Sequence, residues 1–375
     1  MLYKNKNIVL HITNTDISKD PRVIKEIDSI KKIKNLYIYG VGVSRNNIFK
    51  KNKSKNYIQI LFKLDSKKFF YFSNLLKDIE IVLKIYFIGL KIKPDIIHCH
   101  DAIALIPCFL LNIFRKTKII YDAHELESDK NGQSKLFKVI TLFFESIMWK
   151  KINLLISVSP SIINWYKVKY GFKKSLLLLN KPRYNKRSQK EIDLKKIFNI
   201  DQNHLLFIYI GDLCHGRGIK LILEAFSKYK RNSSVVFLGD GILKELIFKY
   251  SNKYNNIFYH NMVPHHEVVS LTKSCDVGLC LIEDVSISDH LCLPNKLFEY
   301  ASAGINIISS ELPEIVKFIR KYKVGKVTKY NIESLNKQIN FFENKGIIKL
   351  NINTENFIWE SQELELIKSY QRLLR

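Results

Sequence analysis

Pro294-Asn295-Lys296-Leu297-Phe298-Glu299 is the stretch on which the reading of this 375-residue chain turns. A proline suited to the first turn of a helix precedes a lysine and a glutamate three residues apart, and residues i and i+3 share one helix face. The helix start offers unsatisfied backbone N–H groups and the positive end of the helix dipole, and the lysine adds an ammonium, a set that attracts phosphate. The carboxylate one turn further in can grip hydroxyls. Tyr300-Ala-Ser-Ala-Gly304 follows, then Ile305-Asn-Ile-Ile308. The pattern predicts a helix stopped at Gly304 and a short buried strand after it.

Outward from this element the rear half alternates strands and helices. Leu205–Ile210 reads as a strand meeting Gly211, Ile219–Tyr229 as a helix, and Ser234–Leu238 as a strand meeting Gly239-Asp-Gly241. Asn256–Tyr259, Val277–Ile282 and Ile305–Ile308 supply three more strands. Gly211-Asp-Leu-Cys-His-Gly-Arg217-Gly218 links strand to helix, and in open sheets ligands sit at the carboxyl ends of strands. Arg217, at that helix entrance, can take a phosphate bidentately. His265-His266 reads as a helix entrance near Glu267 and is assigned no chemistry.

The front half alternates in the same way, with strands at Ile8–Ile12, Leu36–Tyr39, Ile96–His98, Lys118–Tyr121 and Leu154–Val158. Asp20-Pro21 begins a helix over Arg22–Ile33, and residues 67–92 and 135–150 are long helical candidates. Pro94-Asp-Ile-Ile-His98-Cys-His100-Asp101 and Tyr121-Asp-Ala-His124-Glu125 end two successive strands, so their polar residues should meet at one rim. A metal reading of His98, His100 and His124 lacks a further ligand set to complete it. The other reading is of histidines hydrogen-bonded in packed strand ends.

Length and pattern predict an α/β protein of two doubly wound domains facing across a cleft. The expected division is 1–182, 183–355 and a closing helix within 356–375 that returns to the first domain. The basic linker Leu179–Gln189, with Pro182, marks the boundary. No apolar run approaches the roughly 20 residues of a membrane span, and the start lacks a signal-peptide pattern, so a cytoplasmic location is expected. Six cysteines without Cys-x-x-Cys spacing suit a reducing compartment.

The net charge of +26 is unevenly spread. Residues 1–187 hold 36 Lys+Arg against 14 Asp+Glu, while the remainder holds 25 against 21. That asymmetry points to an anionic partner for the front half: a membrane surface, a nucleic acid or a phosphorylated acceptor. Lys67–Phe87 mixes aromatics and lysines as interfacial helices do. No recognisable nucleic-acid-binding module accompanies the charge. No Asp-x-Asp triplet or phosphate-loop lysine motif occurs, which leaves Lys296, Arg217 and helix ends to neutralise a diphosphate.

Taken together these motifs resemble the retaining glycosyltransferases of the GT-B fold, family 4, as used in bacterial capsule, O-antigen and other surface-polysaccharide assembly. The resemblance spans nearly the whole chain and is most specific at Leu293–Gly304. It implies a rear domain that binds a UDP- or GDP-sugar without metal or cofactor, and a front domain that binds a lipid-linked or saccharide acceptor. It implies that Lys296 and Arg217 hold the diphosphate, that Glu299 binds ribose, and that His124 lies beside the transferred sugar. Gly211, Gly239 and Asn295 complete the donor loops, and peripheral attachment to the inner face of the membrane is expected. The family often carries a second glutamate eight positions before the one matching Glu299; Leu291 stands there, leaving Asp289 or Ser288, or the backbone N–H groups of residues 292, 293 and 295, to take its place, and Asp289 and Glu125 are the candidate sugar contacts. A sugar-nucleotide epimerase or hydrolase of the same fold is the alternative, and a nucleic-acid-binding protein the alternative of another class.

Overall fold

The computed structural model describes residues 6–44, 46, 48–54, 56–64, 73–114, 116–183 and 192–375. Two compact units make up the chain, one of Met1–Leu178 with Gln362–Arg375, the other of Leu179–Ser361. Residues 184–189 of the expected linker and 67–72 of the aromatic, lysine-rich segment lie outside the described residues.

The first unit holds β1 (Asn7–Ile12), β2 (Leu36–Val43), β3 (Lys50–Ser54), β4 (Tyr57–Phe62), β5 (Ile96–His100), β6 (Lys118–Ala123), β7 (Ile152–Ser157) and β8 (Ser175–Leu177). They form one sheet in the order β3-β4-β2-β1-β5-β6-β7-β8. All neighbours pair in parallel except β3 with β4. The strand order reverses between β1 and β5, the position at which open sheets leave a crevice for ligands. Sequence patterning missed β3 because Lys-Lys-Asn-Lys-Ser has no apolar alternation and is wholly exposed. It pairs through the register of its hairpin partner, and its lysines guard the sheet edge.

The second unit holds β9 (Leu205–Ile210), β10 (Ser233–Gly239), β11 (Ile257–Asn261), β12 (Val277–Cys280), β13 (Asn306–Ser310) and β14 (Gly325–Thr328). All are parallel, in the order β11-β10-β9-β12-β13-β14. Here the reversal falls between β9 and β12. β10 is buried along its whole length, as expected of a parallel strand covered on both faces. β8 and β14 went unread because three and four residues, the latter opened by Gly325, give too little pattern.

Helix ends follow local chemistry. Asp20 caps Pro21–Ile30, its side chain accepting from the amides of Arg22 and Val23 at 3.0 and 3.1 Å. Gly304, at φ 75°, stops Asn295–Ala303 as expected. Pro294 stands one position earlier than its composition suggested: it is the N-cap, with ψ 152°, and Asn295 opens the helix. The closing helix runs over Glu360–Leu374, preceded by a short 3-10 turn at Thr354–Phe357.

Candidate functional site

In the rear unit the site begins with glycine contact. A Cβ on Gly239 would stand 1.9 Å from the carbonyl oxygen of Gly211, so the ends of β9 and β10 meet only because Gly239 carries no side chain, while Gly211 is needed for its φ of 111°. Gly211 N–H donates to the Leu238 carbonyl at 3.0 Å, and Leu213 N–H to that of Asp240 at 2.9 Å. These bonds tie the two loops into one rim.

β9 and β12 pair only at Phe207↔Val277 and Ile208↔Gly278. Beyond that point Tyr300 enters the gap. Its hydroxyl contacts the carbonyls of Ile208 and Leu279 at 3.2 and 3.1 Å and the amide of Ile210 at 3.2 Å. Its ring lies over Gly278, where a Cβ would come within 2.4 Å. A phenol wedged at the strand divergence thus anchors the helix Asn295–Ala303 and aims its first turn at the crevice.

That first turn carries the charge. Lys296 is buried, and its Nζ lies 3.8 Å from the centroid of the Tyr209 ring at the end of β9. Among the described residues no carboxylate lies within ion-pair distance of it. The amides of Leu293 and Asn295 likewise have no acceptor there, whereas Cys292 N–H is spent on the Asp289 carbonyl at 3.3 Å. Cys280 senses both cations: burial pushes its thiol up to about 11, and Lys296 and Arg217 pull it back. Both positive charges therefore flank the end of β12.

Arg217 is not a free cation. Its Nη1 donates to Asp289 Oδ1 at 2.9 Å, and Ser286 Oγ holds the other carboxylate oxygen at 2.7 Å. Burial works against the guanidinium charge, and Asp289 outweighs it, raising the pKa. Asp289 is thus the partner of Arg217 before it is a sugar contact. Glu299 is buried with Oε1 3.6 Å from His265 Nδ1. His265, given no chemistry from sequence, belongs to this site; nothing in its spacing signals a contact across more than thirty residues.

In the front unit the pleat assembles the polar cluster. His11 pairs in register with His98 and His100 with Asp122, and alternate residues of a strand share a face. His11, His98, His100 and Asp122 therefore project together, all fully buried. Arg22 grips Asp122 through two bonds of 2.8 and 3.0 Å, contacts Glu26 at 3.1 Å and donates to the Leu178 carbonyl at 2.9 Å. His124 sits between two carboxylates, Nε2 3.1 Å from Asp122 Oδ2 and Nδ1 3.3 Å from Asp101 Oδ1. Asp101 reaches it by adopting φ 64°, a conformation costing an aspartate roughly 1–3 kcal/mol. Glu125 turns to Lys130 at 3.1 Å instead.

Burial alone would strip the proton from His124; Asp101 and Asp122 outweigh it and hold its pKa at about 10. The three deeper histidines behave oppositely. Burial first, then His100, pushes His98 down to about 3, and burial lowers His11 and His100 as well. Donor atoms of His11, Glu26, His98 and His100 lie within 4.8 Å of one another, close enough to ligate an ion. Arg22 against Glu26 opposes a second positive charge there.

Because the three buried imidazoles are neutral when folded and bind protons once unfolded, the unfolded state gains protons below about pH 6.5. The triad's share of the stability is fully present above that pH and is lost as pH drops toward 4, while the buried carboxyls of Glu26, Glu127 and Glu145, raised by burial, act in the opposite direction. Imidazole 15N titration across pH 4–7 isolates the triad; uptake of a proton by His11, His98 or His100 at the ordinary histidine pKa in the folded protein would show that it is not held neutral.

Two family profiles match the chain. One described as glycosyl transferases group 1 covers residues 190–357, and one described as glycosyltransferase family 4 covers 50–177. The two lie end to end, one on each unit, and the chain belongs to the GT-B glycosyltransferases of the family 4 type. No curated protein matches it significantly in sequence. Among solved structures it is similar to sucrose-phosphate synthase from Thermosynechococcus elongatus, with TM-score 0.77 and 13% identity over 98% of this chain and 99% of that one. It is also similar to Anabaena Alr3699/HepE in complex with UDP-glucose, with TM-score 0.70 and 10% identity over 97% and 99%. A glycosyltransferase from Rickettsia africae gives TM-score 0.68 and 16% identity over 99% of each chain. At these identities the likeness is one of fold.

Proposed function

We propose that this glycosyltransferase moves a sugar, with retention of configuration, from a UDP- or GDP-sugar to a lipid-linked or saccharide acceptor in surface-polysaccharide synthesis, without a metal. The observation that carries the reading is the buried Lys296 ammonium, unmatched by a carboxylate among the described residues and set at a helix start where, among those residues, the amides of Leu293 and Asn295 have no acceptor. Such a group waits for an anion. As the glycosidic bond breaks, negative charge grows on the diphosphate, and a fixed cation aimed at it stabilises the transition state more than the ground state. The leaving phosphate can then take the proton of the acceptor hydroxyl attacking on the same face. Glu299 grips the ribose hydroxyls, with His265 beside it, and His124 stands next to the transferred sugar. The UDP-glucose bound in the Anabaena neighbour supports a uridine donor.

Calorimetric titration with UDP and GDP tests the donor. One nucleotide should bind, and Glu299→Ala should weaken it by roughly tenfold, the loss of one charge-assisted hydrogen bond; wild-type affinity in the variant would remove Glu299 from the ribose. Turnover of the donor alone, faster than with acceptor present, would favour the epimerase or hydrolase reading.

Attachment to an anionic membrane completes the proposal. Leu76, Ile79, Leu83 and Phe87 form one exposed stripe of the helix Ser73–Ile92, and Leu136, Val139, Phe143 and Ile147 repeat the same spacing on Lys135–Trp149. Both helices pack against Leu105–Phe114 between them, so the stripes belong to one face of the basic unit. Lys91, Lys135 and Lys150 are exposed near their ends. No helix among the described residues is long and apolar enough to cross a membrane. Vesicles containing anionic lipid should pull the protein down at low salt, and Phe87→Ser with Phe143→Ser should release it. Equal sedimentation with neutral vesicles would rule out the charge contribution.

A further inference from the structure

In the rear unit the loop Gly211–Gly218 and the segment that follows β12 are fastened to each other through their backbones. Glu283 N–H donates to the Gly216 carbonyl at 3.0 Å, and Gly218, at φ 76°, lies so near Leu281 that a Cβ on it would stand 2.4 Å from the leucine Cβ. The backbone of Arg217, between those two glycines, is therefore fixed against Leu281–Glu283. The chain then passes through Ser286 into the short helix Ile287–His290, and Asp289 on that helix meets the Arg217 side chain.

Both sides of that contact are specified. Ser286 Oγ accepts from Asp289 N–H at 3.0 Å and gives its one proton to Asp289 Oδ2 at 2.7 Å, which leaves Oδ1 to accept from Arg217 Nη1 at 2.9 Å. Asp289 is buried, so its carboxylate has two engaged oxygens and little open surface for a sugar hydroxyl. The guanidinium is the opposite case: its side chain is 31% exposed and is held at a single nitrogen. Its Nε and Nη2, whose N–H bonds run parallel along one edge, have no acceptor among the described residues. Such a pair of donors matches two oxygens of one phosphate. Burial raises the pKa of the Tyr209 phenol at the end of β9, and Lys296 and Arg217 both pull it back, so the free edge and the Lys296 ammonium lie about the same strand end.

We propose that Asp289 is a positioning residue: by holding Nη1 it turns the Nε–Nη2 edge of Arg217 toward the terminal phosphate of the donor, and so makes the site select a nucleoside diphosphate over the monophosphate. The inference rests on the reading of this crevice as the nucleotide-sugar site. Asp289 acts on the leaving group through Arg217 and touches no part of the donor itself. Its gain is one of order: a long, rotamer-rich side chain is already set before the ligand enters, which is worth roughly three- to tenfold in affinity. The carboxylate charge beside a phosphate works against that gain, and the comparison of alanine with asparagine at position 289 separates the two. Both replacements remove the charge, and only asparagine keeps an oxygen that Nη1 can reach.

The test is calorimetric titration of the full chain with UDP and UMP, or with GDP and GMP where the guanine nucleotides bind. Asp289→Ala should bind the diphosphate roughly three- to tenfold more weakly than Asp289→Asn, while the two variants bind the monophosphate alike. With Arg217→Ala added to each, the difference between them should vanish, because Asp289 then has nothing to position. Ser286→Ala, which frees the second carboxylate oxygen, should weaken the diphosphate by a smaller factor without affecting the monophosphate, and serves where Asp289→Ala fails to fold. Equal diphosphate affinity in the alanine and asparagine variants would overturn the inference, as would a difference that persists without Arg217. Equal affinity joined to unequal turnover of the sugar nucleotide would assign Asp289 to the sugar instead. A native chain that binds the monophosphate as tightly as the diphosphate would sink the donor reading and this inference with it, whereas a native preference left intact in Asp289→Ala sinks the inference alone.

Discussion

Lys296→Ala should lower sugar transfer by ~10²-fold or more, chiefly in kcat, while the melting temperature stays close to that of the native chain. The separation of these two readouts follows from the geometry. Lys296 is matched by no carboxylate among the described residues, so truncation strands no buried anion. The loss to the fold is its contact with the Tyr209 ring at 3.8 Å, worth about 0.5–2 kcal/mol. The loss to the reaction is larger, because the ammonium meets its full counter-charge only as the diphosphate departs. Unchanged turnover in a folded variant would refute the assignment.

Arg22→Leu should do the reverse and act on the fold. Its guanidinium is the cation on which the buried Asp122 depends, at 2.8 Å, with Glu26 a second contact at 3.1 Å. Removing one partner of a buried ion pair leaves an uncompensated charge and costs ~3–5 kcal/mol. For a protein of this size that lowers the melting temperature by roughly 5 °C. Adding Asp122→Asn should recover part of the loss, since the charge left behind is then gone. A single variant melting within a degree or two of the native protein would show that Asp122 is neutralised by another route.

Both expectations draw on positions whose importance was legible in the sequence to unequal degrees. The helix that carries Lys296 and Glu299 was legible because a proline before it and a glycine after it mark its two ends. The alternation of apolar runs with glycine-bounded turns gave the two doubly wound halves, since parallel strands buried on both faces need little more than uninterrupted Ile, Val and Leu. What could not be read were contacts made by register. That His11 stands opposite His98 depends on the pairing of β1 with β5, across more than eighty residues. The hold of Asp289 on Arg217, the approach of His265 to Glu299 and the wedge of Tyr300 between β9 and β12 are of the same kind. The exposed lysine strand β3 was hidden for a different reason: its pairing is imposed by its neighbour, and its own residues carry no apolar alternation.

The placement of residues 362–375 in the unit built by residues 1–178 sets an order of events during synthesis. A nascent chain can complete the rear unit, Leu179–Ser361, as soon as its last residue clears the ribosome. The front unit, translated first, stays without the Tyr370 ring that closes its histidine cluster until the final helix emerges. Translation arrest shortly before position 362 would therefore leave the older half of the polypeptide the more vulnerable to protease.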